Sequence, residues 1–320
     1  RWAREMSVVT GYHNVASPTA NGLVASFCAT LPAAAVQEIE VGGSVDKGAA
    51  YRCISNVLRE YGYRSHFARG ASKIYMACEA SLRSHGFDEV YGKEDLVKLY
   101  PTAKINSWGY YDATLVDFLL KEFERLQAKK RPWLYTALTV NSHLPGFAEA
   151  DCKPPADIAR NPILTGYWCS DRAIDTLLRG MKARGLLDNT VVVITGDHAQ
   201  LPTRKVQALI GQPELFGAFA PMPLLISDPR HRLPKHITRL SSQLDLAPTL
   251  LHLLGADVSG MKHSFMGYSI FGERRRHPLI VGRTGRRSAY VQTRTARASL
   301  AMGTLDDLCE AGSPLLADGS

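Results

Sequence analysis

The chain has no apolar run approaching the ~20 residues that span a bilayer, and its first residues carry no signal-peptide pattern. It has no internal repeat and no low-complexity linker, so nothing divides it into an array or into tethered modules. Cysteine is sparse: Cys28, Cys53, Cys78, Cys152, Cys169 and Cys309 show no CxxC spacing, which argues against a structural zinc knuckle. The basic runs Arg274-Arg275-Arg276 and Gly285-Arg286-Arg287 lack interleaved aromatics. They read as solvated or lipid-facing charge, and no nucleic-acid partner is expected. There is no initiating methionine: the chain opens Arg1-Trp2-Ala3-Arg4-Glu5 and is expected to be a fragment.

What is present bounds the answer further. The 320 residues are 45% hydrophobic, enough for a substantial core in one large domain or two small ones. A formal charge of +8 favours anionic partners, such as phospholipid surfaces or phosphorylated substrates, without choosing among them. Cys28, Cys53 and Cys78 lie in apolar helical patterns and are expected as buried thiols. Cys152 and Cys169 flank a Pro-rich loop and could pair in an oxidising compartment.

Strand-like and helix-like segments alternate. Val8–Val15, Tyr63–Ala68, Trp133–Val140, Val191–Thr195 and Pro223–Ser227 read as strands. Helices are expected over Ala20–Ala29, Ala49–Tyr61, Ile74–Ser84, Asp112–Leu126, Tyr167–Arg184 and Gln243–Leu254. Gly146–Pro162 reads as a loop, and the tail from Pro278 as short strands and turns. This alternation argues for an α/β fold with a largely parallel sheet covered on both faces. Val191–Thr195 and Trp133–Val140 are short and apolar enough to be strands buried on both faces.

Three stretches then fall at C-terminal strand ends, the edge where open α/β sheets place ligands: Ser17-Pro18-Thr19, Asn141-Ser142-His143 and Asp197-His198. A carboxylate and an imidazole delivered by one strand suit a divalent metal, although an adjacent Asp and His also occur as a solvated loop pair. Thr19 opens a helix, where unpaired backbone N–H groups and the dipole suit a phosphoryl group and favour an alkoxide. The same position suits a simple N-cap at Thr19 or Ser17. His143 fits either a phosphate or leaving-group contact or a loop histidine bonded to backbone.

At these residues the sequence resembles a known family. "NTVVVITGDHAQLP", "MPLLISDP", "SSQLDLAPTLLHLLG" and "FMGYSIF" are similar to the C-terminal half of the sulfatase-like, alkaline-phosphatase superfamily. "YHNVASPTANGLVASFCATLP" resembles the nucleophile segment of its lipoteichoic acid synthase and phosphoglycerol transferase branch. "ISNVLREYGYRSHFARG", "HGFDEVYG", "LTVNSHLPGF" and "YWCSDRAIDTLLRGMKARGLLDNT" continue the likeness in family order, from Arg1 to about Phe271.

The resemblance implies an alkaline-phosphatase-like central sheet, mostly parallel, with helices on both faces. It implies a single catalytic domain, with a core over about 1–271 and a small β-rich C-terminal portion over 272–320. Thr19 matches the nucleophile and metal ligand, Asp197 and His198 the metal-binding pair, and His143, with Asn141 beside it, the substrate contact. One divalent ion is implied: manganese, zinc or magnesium. The implied reaction moves a phospholipid head group, of phosphoglycerol or phosphoethanolamine type, to a glycan or lipid hydroxyl through a phospho-threonine. The alternatives are a phosphodiesterase or sulfatase-like hydrolase, and an inactive lipid-binding member. The implied setting is an extracytoplasmic, periplasmic domain of an inner-membrane protein, against an anionic membrane surface.

The departures are specific. The family's upstream acidic metal ligand has no counterpart before Thr19, since Glu5 lies in a helix-like stretch, and a missing first strand is expected. Met76 and Cys78 stand nearest to the tryptophan and arginine with which some synthases hold glycerophosphate. Ser17-Pro18-Thr19-Ala20-Asn21 lacks the C/S-x-P-x-R pattern of formylglycine sulfatases, which disfavours true sulfatase chemistry.

Overall fold

The computed structural model describes residues 2–31, 51–201, 203–210, 220–256, 264–272, 280–284, 288–293 and 297–301. The two Arg-rich runs and Cys309 lie outside them. Among the described residues, twelve strands follow in chain order: β1 Ser7–Val9, β2 Tyr12–His13, β3 Arg64–Arg69, β4 Glu89–Tyr91, β5 Trp133–Leu138, β6 Val192–Thr195, β7 Leu224–Ser227, β8 His236–Ile237, β9 Ser241–Ser242, β10 Ile280–Thr284, β11 Ser288–Gln292 and β12 Arg297–Ala301. β1 pairs parallel with β8, β2 with β9, and β3 with both β4 and β5. The C-terminal β10–β11–β12 sheet is antiparallel, which is the small β-rich portion expected of the tail. A four-stranded sheet has the order β6–β7–β1–β8.

The chain divides into two compact units, Arg1–Ser7 with Ile39–Val193 and Leu225–Lys235, and Val8–Glu38 with Ile194–Leu224 and His236–Ser320. The first contains the β4–β3–β5 sheet. Its long helices, Asp112–Ala128 and Pro162–Ala183, pack on each other, and Leu115, Phe118, Leu119, Phe123, Leu178 and Met181 are buried. The second is built around the helix Thr19–Cys28, the β2–β9 pair and the helix Leu246–Leu253, with Val15, Ala16, Ala25, Leu244 and Ile280 clustered in its core.

Several sequence expectations shift. The Tyr167–Arg184 helix begins earlier, at Pro162, because Asn161 caps it, its side chain accepting from the Ile163 and Leu164 amides, and proline suits the first helical position. Ile74–Ser84 breaks into a short 3-10 turn and a helix Cys78–Ser84, since Met76 and Ala77 take left-handed backbone angles. Pro248 falls within the first turn of its helix, where a missing N–H costs nothing.

The strands β5 and β6 are only half-buried rather than enclosed on both faces. Each ends its sheet order among the described residues, so one flank has no neighbouring strand. Cys28 and Cys53 are both disulfide-bonded, not thiols, and Cys78 is the free cysteine among the described residues. Cys152 and Cys169 are bridged, their Cα atoms 6.0 Å apart.

Candidate functional site

The second unit sets Thr19 at a helix start and Asp197 and His198 on a loop that adjoins the same helix. Thr19 is the first residue of its helix, after a cis Ser17-Pro18 peptide. Pro18 holds the N-cap position and has no side chain to cap with, so Thr19 is not the cap. Among the described residues its half-buried hydroxyl makes no hydrogen bond. The first backbone N–H groups of the helix therefore remain open for an anion beside that hydroxyl.

Polar side chains outside the predicted set join this helix start to the Asp197 loop. Fully buried Gln243 accepts from the amides of Val15 and Ala16 at 2.8 and 2.9 Å, and its Nε2 donates to the Asp197 carbonyl. Buried Asn14 accepts from the Ala199 amide at 3.0 Å and from the Ser17 hydroxyl at 3.3 Å. Gly22, one helical turn after Thr19, meets the Asp197 carbonyl directly: a Cβ there would lie 1.9 Å from the oxygen. Residues three apart share a helix face, so Thr19 lies on the face turned to Asp197. The only sequence signal for these supports was a polar residue bordering an apolar run, such as Gln243 in "SSQLDLAPTLLHLL".

The donor pair suits a divalent cation. His198 Nδ1 lies 2.6 Å from the Ala199 carbonyl, so that nitrogen carries the proton and Nε2 presents a lone pair. Nε2 is 3.6 Å from Asp197 Oδ2, too far for a hydrogen bond. An imidazole nitrogen and a carboxylate oxygen facing each other at this separation suit two donors on one ion, at about 2.0–2.2 Å each. Both side chains are mostly shielded, 22% exposed for Asp197 and 16% for His198.

His143 and Asn141 belong to the first unit. Asn141 is fully buried and its amide is committed: Oδ1 accepts from the Asp112 amide, and Nδ2 donates to both oxygens of Glu149. Asp112, also buried, accepts from the Val140 amide at 2.6 Å and the Ser170 hydroxyl at 2.7 Å. Burial pushes its carboxyl up to about 6, against those hydrogen bonds. Gly166 lets the helix Pro162–Ala183 reach the Asn141 carbonyl, where a Cβ would lie 2.2 Å away. On this base stands exposed His143, its ring 4.0 Å from that of Trp108 and its Nδ1 bonded to the Leu144 carbonyl. Nε2 is left for a ligand. Asn141 is thus placed to hold the loop, and His143 to meet solvent.

The comparisons with known proteins bear on the family and the fold. The sulfatase family model matches residues 1–256. Phosphoglycerol transferase I of Escherichia fergusonii is 34% identical over 187 residues, 56% of this chain and 24% of that protein. The chain thus spans about a quarter of the length of the curated relatives it matches. A Vibrio parahaemolyticus protein of the alkaline phosphatase superfamily superposes with TM-score 0.78 at 21% identity, covering 94% of this chain and 70% of that one. The lipoteichoic acid synthase LtaP of Listeria monocytogenes gives 0.72 at 15% identity, covering 94% and 78%. The fold is accordingly the alkaline-phosphatase-like α/β fold.

Proposed function

The chain belongs to the sulfatase family, and on that premise we propose that it is a phosphotransferase that moves a phospholipid head group to an acceptor hydroxyl through Thr19. The observation that carries this reading is Thr19 itself: an unbonded hydroxyl at an uncapped helix start, on the helix face turned to the Asp197 loop. The likeness to phosphoglycerol transferase I favours phosphoryl over sulfuryl transfer.

Thr19 Oγ1, Asp197 and His198 Nε2 would hold one divalent ion, which when bound favours the alkoxide and offsets phosphoryl charge. Manganese, zinc and magnesium all suit this oxygen and nitrogen set. The Thr19 oxygen attacks phosphorus, the open N–H groups of its helix take the phosphoryl oxygens, and the bond to the diacylglycerol oxygen breaks. That oxygen takes up a proton and leaves. An acceptor hydroxyl, of a glycan or a lipid, then loses its proton and displaces Thr19 from phosphorus. We assign His143 Nε2 to the phosphoryl or leaving-group oxygen, with Asn141 positioning its loop. Water in the acceptor's place makes the same site a phosphodiesterase.

An extracytoplasmic setting, with the domain held at an anionic membrane surface, goes with this reading. It is supported by the Cys152–Cys169 disulfide and the bonded state of Cys28 and Cys53, and by the net positive charge. No helix among the described residues is long and apolar enough to cross a membrane. The test is head-group release from phosphatidylglycerol or phosphatidylethanolamine vesicles by the intact protein, before and after chelation, with trapping of the phosphorylated enzyme. Label on Thr19 that chases to an added acceptor is the expected result. Turnover that survives chelation and leaves no label refutes it.

A further inference from the structure

The first unit holds a pocket of about 410 Å³ at the N-terminal ends of β3 and β5, the sheet edge opposite the one from which the His143 loop emerges. Arg64 and His66 enter it from β3, Trp133 from the start of β5, and Arg125 and Lys129 from the end of the helix Asp112–Ala128. With Arg131, four cationic side chains line it against two carboxylates, Asp88 and Glu89.

Part of that charge is already used. Arg64 binds Asp88 at 2.7 Å, Arg125 binds Glu122 at 2.6 Å, and Arg131 gives its Nε to the Gly62 carbonyl. The Lys129 side chain makes no ion pair or hydrogen bond among the described residues, and Arg131 keeps both terminal nitrogens. The pocket therefore has a cationic side left open to an incoming anion.

His66 gives the second, independent observation. It is 4% exposed, and among the described residues neither ring nitrogen has a hydrogen-bond partner. Register aligns Glu89, His66 and Tyr135 in one row across β4, β3 and β5. The Tyr135 ring stacks on the imidazole at 5.5 Å, and its buried hydroxyl is also without a partner. A buried polar group left unmade costs about 1–3 kcal/mol, so a core imidazole with two such nitrogens calls for a ligand. Burial holds the ring below its ordinary value, which makes it neutral near pH 7. A neutral imidazole offers one donor and one acceptor, and a phosphomonoester carrying a hydroxyl has the complement of both.

We propose that this pocket is a second, non-catalytic site for a phosphate-type anion, held by His66, Lys129 and Arg131 with Trp133 as its apolar wall. The same chemistry is offered by free phosphate, by glycerol phosphate and by a phospholipid head group. The site includes none of Thr19, Asp197, His198 and His143, and does not depend on their roles.

The experiment reads His66 directly, by NMR of the intact protein with 13C-labelled histidine rings, the signal assigned through His66→Phe. Inorganic phosphate, sn-glycerol 3-phosphate and phosphatidylglycerol vesicles are titrated separately at constant ionic strength. A saturable His66 shift, weakened about tenfold or more in Lys129→Ala with Arg131→Ala, supports the site. A shift with vesicles alone assigns the anion to a lipid head group, and a shift with free phosphate to a soluble ligand. No shift with any of the three, or an equal shift with chloride, overturns the proposal. His66→Phe checks the structural alternative: it should keep or raise the melting temperature while phosphate no longer protects the pocket's side chains from chemical modification. Undiminished protection in that variant also overturns the proposal.

Discussion

Gly22 rests against the carbonyl of Asp197 with no room for a methyl group: the added carbon would stand 1.9 Å from that oxygen and 3.0 Å from Gln243 Nε2. The helix that carries Thr19 and the loop that carries Asp197 are thereby fixed by backbone as well as by side chains. At an ordinary helical position, alanine would stabilise by about 1 kcal/mol. Here the obstacle is a main-chain carbonyl, which cannot swing aside. Gly22→Ala is therefore expected to destabilise by about 1–3 kcal/mol and to lower turnover far more than this loss explains. Thermal unfolding and head-group release on the same preparation check it.

Thr19→Ala separates chemistry from capping. A cap lost to alanine costs about 1 kcal/mol, but Pro18, not Thr19, occupies the cap position. The expected outcome is a melting temperature close to wild type with transfer abolished, and weakened metal affinity retained through Asp197 and His198. Thr19→Ser keeps the hydroxyl and should retain partial activity with more rotamer freedom. Wild-type turnover by Thr19→Ala would leave Asp197 and His198 to activate water directly.

Much of this was legible in the sequence. Asp197 and His198 follow an apolar strand, and Thr19 opens a helix after proline, so type and position singled them out as candidates, while their proposed roles rest on the family resemblance. Asn14 and Gln243 were not legible, because their role arises from partners up to 228 residues away in sequence. Nor was the half-exposure of β5 and β6. Composition tells that a strand is apolar, whereas the number of neighbours beside it is set by sheet order. Asn141 stood out for its place beside His143, and only its bonds to Asp112 and Glu149 reveal how its amide is spent.

Asp112 gives the expected pH dependence. Its folded value, about 6, lies above the ordinary 3.8. The unfolded chain therefore releases this proton first as pH rises, so the group's cost to stability begins near pH 4 and is fully present above pH 6. A shift of about two units corresponds to roughly 3 kcal/mol. Unfolding free energy measured from pH 4 to 7 should decline across that window in wild type. Asp112→Asn, which keeps an acceptor for the Val140 amide, should flatten the decline.

The Cys152–Cys169 bridge closes a loop with a sequence separation of 17. Cross-linking a loop of that size is worth about 3 kcal/mol in the chain-entropy account. Cys152→Ser with Cys169→Ser should lower the melting temperature by several degrees. A reductant should do the same to wild type and nothing further to the double variant. An unchanged melting temperature would show that the loop is held by Asn141, Glu149 and the Asn161 cap alone.

Among the described residues β5 has a paired strand on one flank only, which bears on how the molecule behaves in a test tube. Trp133-Leu-Tyr-Thr-Ala-Leu138 carries no charge and no proline, and it ends its sheet. Such an edge is a template for another copy of itself, the first step toward fibrillar self-association. The run Lys129-Lys130-Arg131-Pro132 immediately before it acts as a gatekeeper, since repulsion between stacked cations opposes in-register growth. Aggregation of the isolated chain should therefore speed up as salt rises and screens those charges, and light scattering over an ionic-strength series would follow it.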